Sequence, residues 1–122
     1  MMLTDAQVQR LQDIAYCATH TGNVLDARTI FAGILAIKPH SVACKIGMAF
    51  THLVVDEFDK AESILKDDVL AANPDDNEAK ALLGLNFLLA GHSEEAKAIF
   101  LLLQEQDGPA CALANDLLGT IQ

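Results

Sequence analysis

Cys17 and His20 stand three residues apart in a stretch of helical periodicity, the spacing a thiol nucleophile and an imidazole base would need on one helix face. No acid that could orient the imidazole and no oxyanion site accompanies them. Cys44 and Cys111 are remote from Cys17 and from each other, no C-x-x-C occurs, and the four histidines show no ligand spacing. The cysteines read as small buried hydrophobes kept reduced, with a redox switch as the alternative. Asp75-Asp76-Asn77-Glu78 is rich in oxygen ligands but lacks the D-x-[DN]-x-[DN]-G order of a calcium loop. Acids at the positive end of a helix explain it. The phosphate loop, the dinucleotide fingerprint, the nucleophile elbow and H-E-x-x-H are all missing. The expectation is a protein that is not an enzyme, with no catalytic residue, no metal and no cofactor.

Charge narrows the partners. Seventeen acidic and eight basic residues give a net charge of −9 over 122 residues. Nucleic acid and anionic membrane both need clustered Lys and Arg, so neither is an expected partner. No apolar run reaches the roughly 18 residues of a spanning helix. The densest stretch, from Ala79 to Ala90, is broken by Lys80 and Asn86. Met-Met-Leu-Thr-Asp-Ala-Gln lacks the basic and apolar regions of a secretory leader, which makes the cytoplasm the expected location. Hydrophobic residues make up 52%, yet only six are aromatic and none is Trp, so the apolar mass is mainly Ala and Leu, as in helices packed on helices. No composition break divides the chain, and 1–122 reads as a single domain.

Seven helices are expected and no sheet. Thr4 with Gln7 forms a capping box for the first, which runs to the Thr21-Gly22-Asn23 break. The second covers about Val24 to Ile37, and the third, capped by Ser41, runs to about Val54. Asp56 begins the next turn, from which the fourth continues to about Ala72, and the fifth runs from about Asp76 to Ala90. The sixth opens at Ser93, expected as its cap, and ends near Gln106, where Asp107-Gly108-Pro109 stops it. The seventh spans about Pro109 to Ile121. Gly33 and Gly47, inside helices, are expected at close-packing points.

A punctuation recurs through these helices. Gly22, Ala27, Phe31 and Pro39 are answered by Asp56, Ala61, Leu65 and Pro74, then by Gly91, Ala96, Phe100 and Pro109. The alanines lie 34 and 35 residues apart and the prolines 35 and 35. Ala15, Ala49 and Gly84 share a further position. Such a period marks stacked helical hairpins and a binding surface rather than a catalytic pocket. Small residues let the helices of a hairpin approach closely, and Phe31, Leu65 and Phe100 are expected to fill the space between hairpins.

These residues resemble tetratricopeptide repeats (TPR), with repeats at about 8–41, 42–76 and 77–111 and a C-terminal helix at about 109–121. The third copy fits best, through Leu83-Gly84, Phe87, Gly91, Ala96, Phe100 and Leu103. The family's Trp position holds Leu11, Lys45 and Lys80 instead. One extra residue precedes both Pro74 and Pro109, so the second helix of those repeats is expected to be a residue longer or bulged, leaving open whether Asp68 or Val69 packs inward. The resemblance implies an all-α fold in which three TPR hairpins stack as a right-handed superhelix, closed by the C-terminal capping helix.

It also implies that the first helix of each hairpin lines a concave groove. The positions carried over are Gln9, Gln12, Tyr16, Thr19 and His20, then Ala43, Ile46, Phe50, Leu53 and Val54, then Glu78, Ala81, Leu85, Leu88 and Leu89. Of these, Gln12, Tyr16, His20, Ile46, Phe50, Leu53, Ala81, Leu85 and Leu88 are the expected partner-binding residues. The groove lacks the Lys, Arg and Asn of TPR proteins that clamp a C-terminal carboxylate. In size, acidity and apolar groove the chain is similar to small TPR chaperones of bacterial type III secretion. That resemblance implies a protein client, an apolar helical or extended segment of a secreted or apparatus subunit, with a small co-chaperone or a second copy as further candidates. The alternatives are a TPR scaffold or obligate homodimer without a chaperone role, and a groove covered by the seventh helix.

Overall fold

The computed structural model describes residues 3–105 and 108–121. Seven helices follow in order: α1 (Asp5–His20), α2 (Val24–Ile37), α3 (Val42–Leu53), α4 (Phe58–Ser63, continued by a π-helical segment, Ile64–Leu70), α5 (Asn77–Leu89), α6 (Ser93–Leu103) and α7 (Pro109–Ile121). No strand occurs among the described residues.

The first helix of each hairpin begins on a side-chain cap. Thr4 accepts from the Gln7 N–H at 3.1 Å while Gln7 Oε1 accepts from the Thr4 N–H at 2.9 Å. Ser41 accepts from Cys44 N–H at 3.3 Å, and Asp76 from Ala79 N–H at 2.9 Å. The second helices have no such cap. Ser93, expected as a cap, is instead the first helical residue of α6, and His92 precedes it without a side-chain bond.

These second helices are launched by the turn itself. Gly22 (φ 87°), Asp56 (φ 65°) and Gly91 (φ 87°) all take the left-handed conformation. In each turn the next N–H reaches back five residues: Asn23 to Ala18, Glu57 to His52 and His92 to Phe87, at 2.8, 2.9 and 2.8 Å. This is the αL C-cap that glycine makes without strain. Asp56 makes it with a Cβ, at a cost that Asp bears better than most residues. The expected stop at Gln106 and Asp107 lies outside the described residues; α6 itself ends at Leu103.

The repeating small and large residues form the interior. Ala15, Ala27, Phe31, Ala49, Ala61, Leu65, Ala96 and Phe100 are all fully buried. Phe31 lies on Gly47 of the next hairpin, and Phe100 lies on Gly84 of its own; a Cβ at either glycine would fall into the ring. Gly33 departs from expectation. It is exposed, and a Cβ there would meet nothing within 4 Å, so it is not a packing point.

The extra residue of repeat two is absorbed at one place. In repeats one and three the fully buried pairs are Phe31–Ile34 and Phe100–Leu103, three residues apart; in repeat two the pair is Leu65–Val69, four apart. The π-helical segment spans this interval, widening one turn so that Val69 reaches the core while Asp68 stays exposed. The same turn sets the Lys66 ammonium 5.1 Å from the centre of the Phe87 ring. Repeat three does not follow suit: α6 is regular throughout, so its extra residue falls after Leu103 rather than lengthening or bulging the helix.

Helices α1, α3, α5 and α7 touch one another in sequence, whereas α2, α4 and α6 touch their neighbours in the chain but not one another. The stack is therefore tight on the side of the first helices and splayed on the other, and the first helices form its inner face. Polar ties cross between hairpins at equivalent positions. Arg28 Nε donates to Thr51 Oγ1 at 3.1 Å, and its Nη2 donates to Glu57 Oε1 at 2.7 Å. His52 Nδ1 lies 3.0 Å from both Arg28 Nη2 and Glu57 Oε1. One repeat on, the buried Asn86 donates to the Phe58 carbonyl at 3.0 Å.

Candidate partner-binding groove

The inner face carries an open apolar groove of about 280 Å³. All its walls come from first helices or from α7: Tyr16 and His20 from α1, Ile46 and Phe50 from α3, Glu78, Ala81, Leu82 and Leu85 from α5, and Leu113 from α7. The spacing of four between Tyr16 and His20, and between Ile46 and Phe50, puts each pair on one face of its helix. Ile46 and Ala81 form the floor at 3% and 7% exposure, while Phe50, Leu82 and Leu85 are half-buried.

An aromatic cluster fixes one end. The Tyr16 ring meets the buried Phe31 edge-on at 5.2 Å and stacks near Phe50 at 6.4 Å; the His20 ring meets Phe50 edge-on at 5.1 Å. The Tyr16 hydroxyl donates to the Ala43 carbonyl at 2.7 Å, tying α1 to the start of α3. Burial pushes this phenol well above its ordinary range, and the charge of Glu78 adds to the rise, so it remains a hydrogen-bond donor. Among the described residues, Glu78 is the only Asp, Glu, Lys or Arg in the lining.

Six of the nine sequence-predicted residues come together here: Tyr16, His20, Ile46, Phe50, Ala81 and Leu85. Three stand elsewhere. Gln12 is buried at 8% exposure, its amide against Cys44 Sγ at 3.5 Å, beside a separate recess of about 460 Å³. That recess is larger, but Lys38 and Asp5 on its rim are paired at 2.7 Å and its lining is more polar than that of the groove, so it offers an apolar segment less. Leu53 is buried at 4% in the core of repeats two and three, and Leu88 packs on the same core. Leu82 and Leu113 line the groove without having been expected. Leu82 sits one turn on from Glu78, and the same helical stripe could have suggested it; Leu113 has no sequence signal, since its position depends on how α7 docks.

Helix α7 does not lie across the groove. Its Ala114 and Leu118 are buried toward α5 and α6, leaving Leu113 41% exposed as a side wall. Cys17 is exposed and forms no hydrogen bond with His20, whose ring is engaged by Phe50. Among the described residues no group of three His, Cys, Asp or Glu is placed to hold a metal ion. No described helix is long and apolar enough to cross a membrane.

Comparison with known proteins agrees with this architecture. The fold is similar to that of the Yersinia enterocolitica type III secretion translocator chaperone SycD, with a TM-score of 0.76 at 15% identity over 98% of this chain and 86% of that one. No curated protein matches the sequence. The model of the tetratricopeptide repeat family matches residues 18–85, more than half of the 122. With three hairpins built on its spacing, the chain belongs to the tetratricopeptide repeat family.

Proposed function

We propose that this chain is a protein-binding chaperone that holds an apolar segment of a secreted or secretion-apparatus subunit in its inner groove, in the cytoplasm, before secretion. One observation carries the reading: an open groove walled by Ile46, Phe50, Leu82, Leu85 and Leu113, which the chain's own α7 flanks without covering. The likeness in fold to a type III secretion translocator chaperone supports the choice of client class. Each large apolar side chain seated in the groove contributes roughly 1.5–3 kcal/mol, offset by the cost of association.

Co-expression with a translocator or apparatus subunit that aggregates alone tests the proposal. The client is expected in the soluble fraction, co-purifying with this chain. Phe50→Asp and Leu85→Asp, checked for retained helicity by circular dichroism, should each reduce that recovery at least about tenfold, because an unpaired carboxylate is placed in an apolar contact. Unchanged recovery with both variants would remove the groove from client binding. Light scattering after size exclusion decides the rival: a dimer that resists dilution and that both substitutions turn monomeric would assign the groove to a second copy.

A further inference from the structure

Resting on that groove reading, the lining restricts which segments fit. Of the nine described residues in the lining, eight carry no formal charge when histidine is neutral; the ninth is Glu78, on the first turn of α5. Among the described residues no cation forms an ion pair with it; the acids that do form ion pairs there are Asp5, Glu57, Glu62 and Glu95. Glu78 is exposed, so its charge is solvated while the groove is open. An apolar segment filling the groove would strip that water, and a carboxylate stripped of water without a counter-ion is strongly disfavoured.

Facing groups do not resolve the conflict. The one hydroxyl among the described lining residues, that of Tyr16, is already given to the Ala43 carbonyl. Tyr16 on α1 and Glu78 on α5 line the same groove from different helices. A net charge of −9 deepens the negative potential an incoming segment meets. The Tyr16 and Phe50 rings, stacked at 6.4 Å, offer apolar and π surface along which the stem of a long cationic side chain can lie.

We propose that the groove selects a protein segment in which a lysine or arginine stands at fixed spacing from large apolar residues, the cation pairing with Glu78 and its stem lying along Tyr16 and Phe50. This is the reverse polarity of a groove that clamps a carboxylate.

A phage-displayed library of random dodecapeptides, selected in parallel on the immobilised full-length chain and on its Phe50→Asp, Glu78→Gln and Glu78→Lys variants, tests it. Peptides recovered on the wild type and lost on Phe50→Asp should share a Lys or Arg at constant distance from two or more large apolar residues. A synthetic copy of one such peptide should weaken at least about tenfold when its basic residue is changed to Glu, and should regain affinity on Glu78→Lys. Glu78→Gln, which keeps the shape, should bind the basic and the acidic peptide alike. Phe50-dependent peptides without a shared basic residue would overturn the proposal and leave the groove reading standing. So would a charge exchange that weakens binding equally on wild type and Glu78→Lys. The absence of any Phe50-dependent peptide would overturn both.

Discussion

Gly33→Ala and Gly47→Ala make the same chemical change inside neighbouring helices and should move stability in opposite directions. Alanine is favoured over glycine in a helix interior by about 1 kcal/mol. At Gly33 nothing lies within 4 Å of the added methyl, so most of that gain is realised, about 0.5–1 kcal/mol. At Gly47 the methyl enters the Phe31 ring. That ring is fully buried and held edge-on by Tyr16 at 5.2 Å, so it has no free direction of retreat. Overpacking of this kind costs about 1–3 kcal/mol, which leaves a net loss near 1 kcal/mol after the propensity gain.

For 122 residues the unfolding entropy is about 0.26 kcal/mol/K, so 1 kcal/mol corresponds to about 4 °C. Thermal melts should place Gly33→Ala about 2–4 °C above the wild type and Gly47→Ala about 4 °C below it. A double-mutant cycle locates the cause. Phe31→Leu trims the ring, so its cost and that of Gly47→Ala should add to more than the double variant loses. A Gly47→Ala protein that melts at or above the wild type, or strict additivity in the cycle, would refute the close approach of α2 and α3 at this point.

Three further outcomes follow from the same packing. Asp56→Gly relieves the one left-handed non-glycine among the described residues and should raise stability by about 0.5–1 kcal/mol, read as a higher urea midpoint. Hydrogen bonds from His52, Arg28 and Lys60 hold the Glu57 carboxyl at about 2 against an ordinary 4.5, so the folded state releases this proton more readily than the unfolded state. Its contribution is present above pH 4.5 and lost as pH falls toward 2; urea melts should therefore show Glu57→Gln less stable than wild type at pH 6, with the gap closing by pH 2. Deleting Asp67 should restore the three-residue spacing of buried positions and shift the melting temperature by no more than about 4 °C, whereas deleting Ala32 turns Ile34 about 100° away from the core and should cost about 2 kcal/mol or more.

The scaffold was legible because its constraints are local. Ala27, Ala61 and Ala96 must be small and Phe31, Leu65 and Phe100 large wherever a hairpin closes, and both requirements recur at the repeat period. The caps at Thr4 and Ser41 are equally local, needing only a hydroxyl three residues before the N–H it serves; Asp76, read from the sequence only as an acid at a helix start, caps α5 in the same way. The extra residue of repeat two was visible as a count, but its location was not. Leu65 and Val69 decide it by both reaching the core, and only the neighbouring helices determine which residues do so. Gly33 and Gly47 look alike in sequence and differ because one helix face meets Phe31 and the other meets solvent.

The groove was legible to the extent that it follows the scaffold. Tyr16, Phe50 and Leu85 hold one repeat position and lie together. Leu53 and Leu88, also equivalent to each other, come one turn later, where the hairpins converge, and there the same helical stripe is consumed by the core. A repeat position therefore predicts a residue's direction from its own helix but not its depth in the stack.

Helix α7 makes the same point from the other end. It touches α5 and α6 as α5 touches α3 and α4, taking the place of a further first helix. Its buried stripe, Ala114 and Leu118, is used against the core, so the residue left toward the groove, Leu113, extends a wall. A helix built to close the groove would need its apolar stripe turned across Phe50 and Leu85, and the same stripe cannot serve both surfaces. The apolar walls thus stay open beside α7, and a chain seated there, as proposed, would have to answer both the hydrophobic surface and the charge of Glu78.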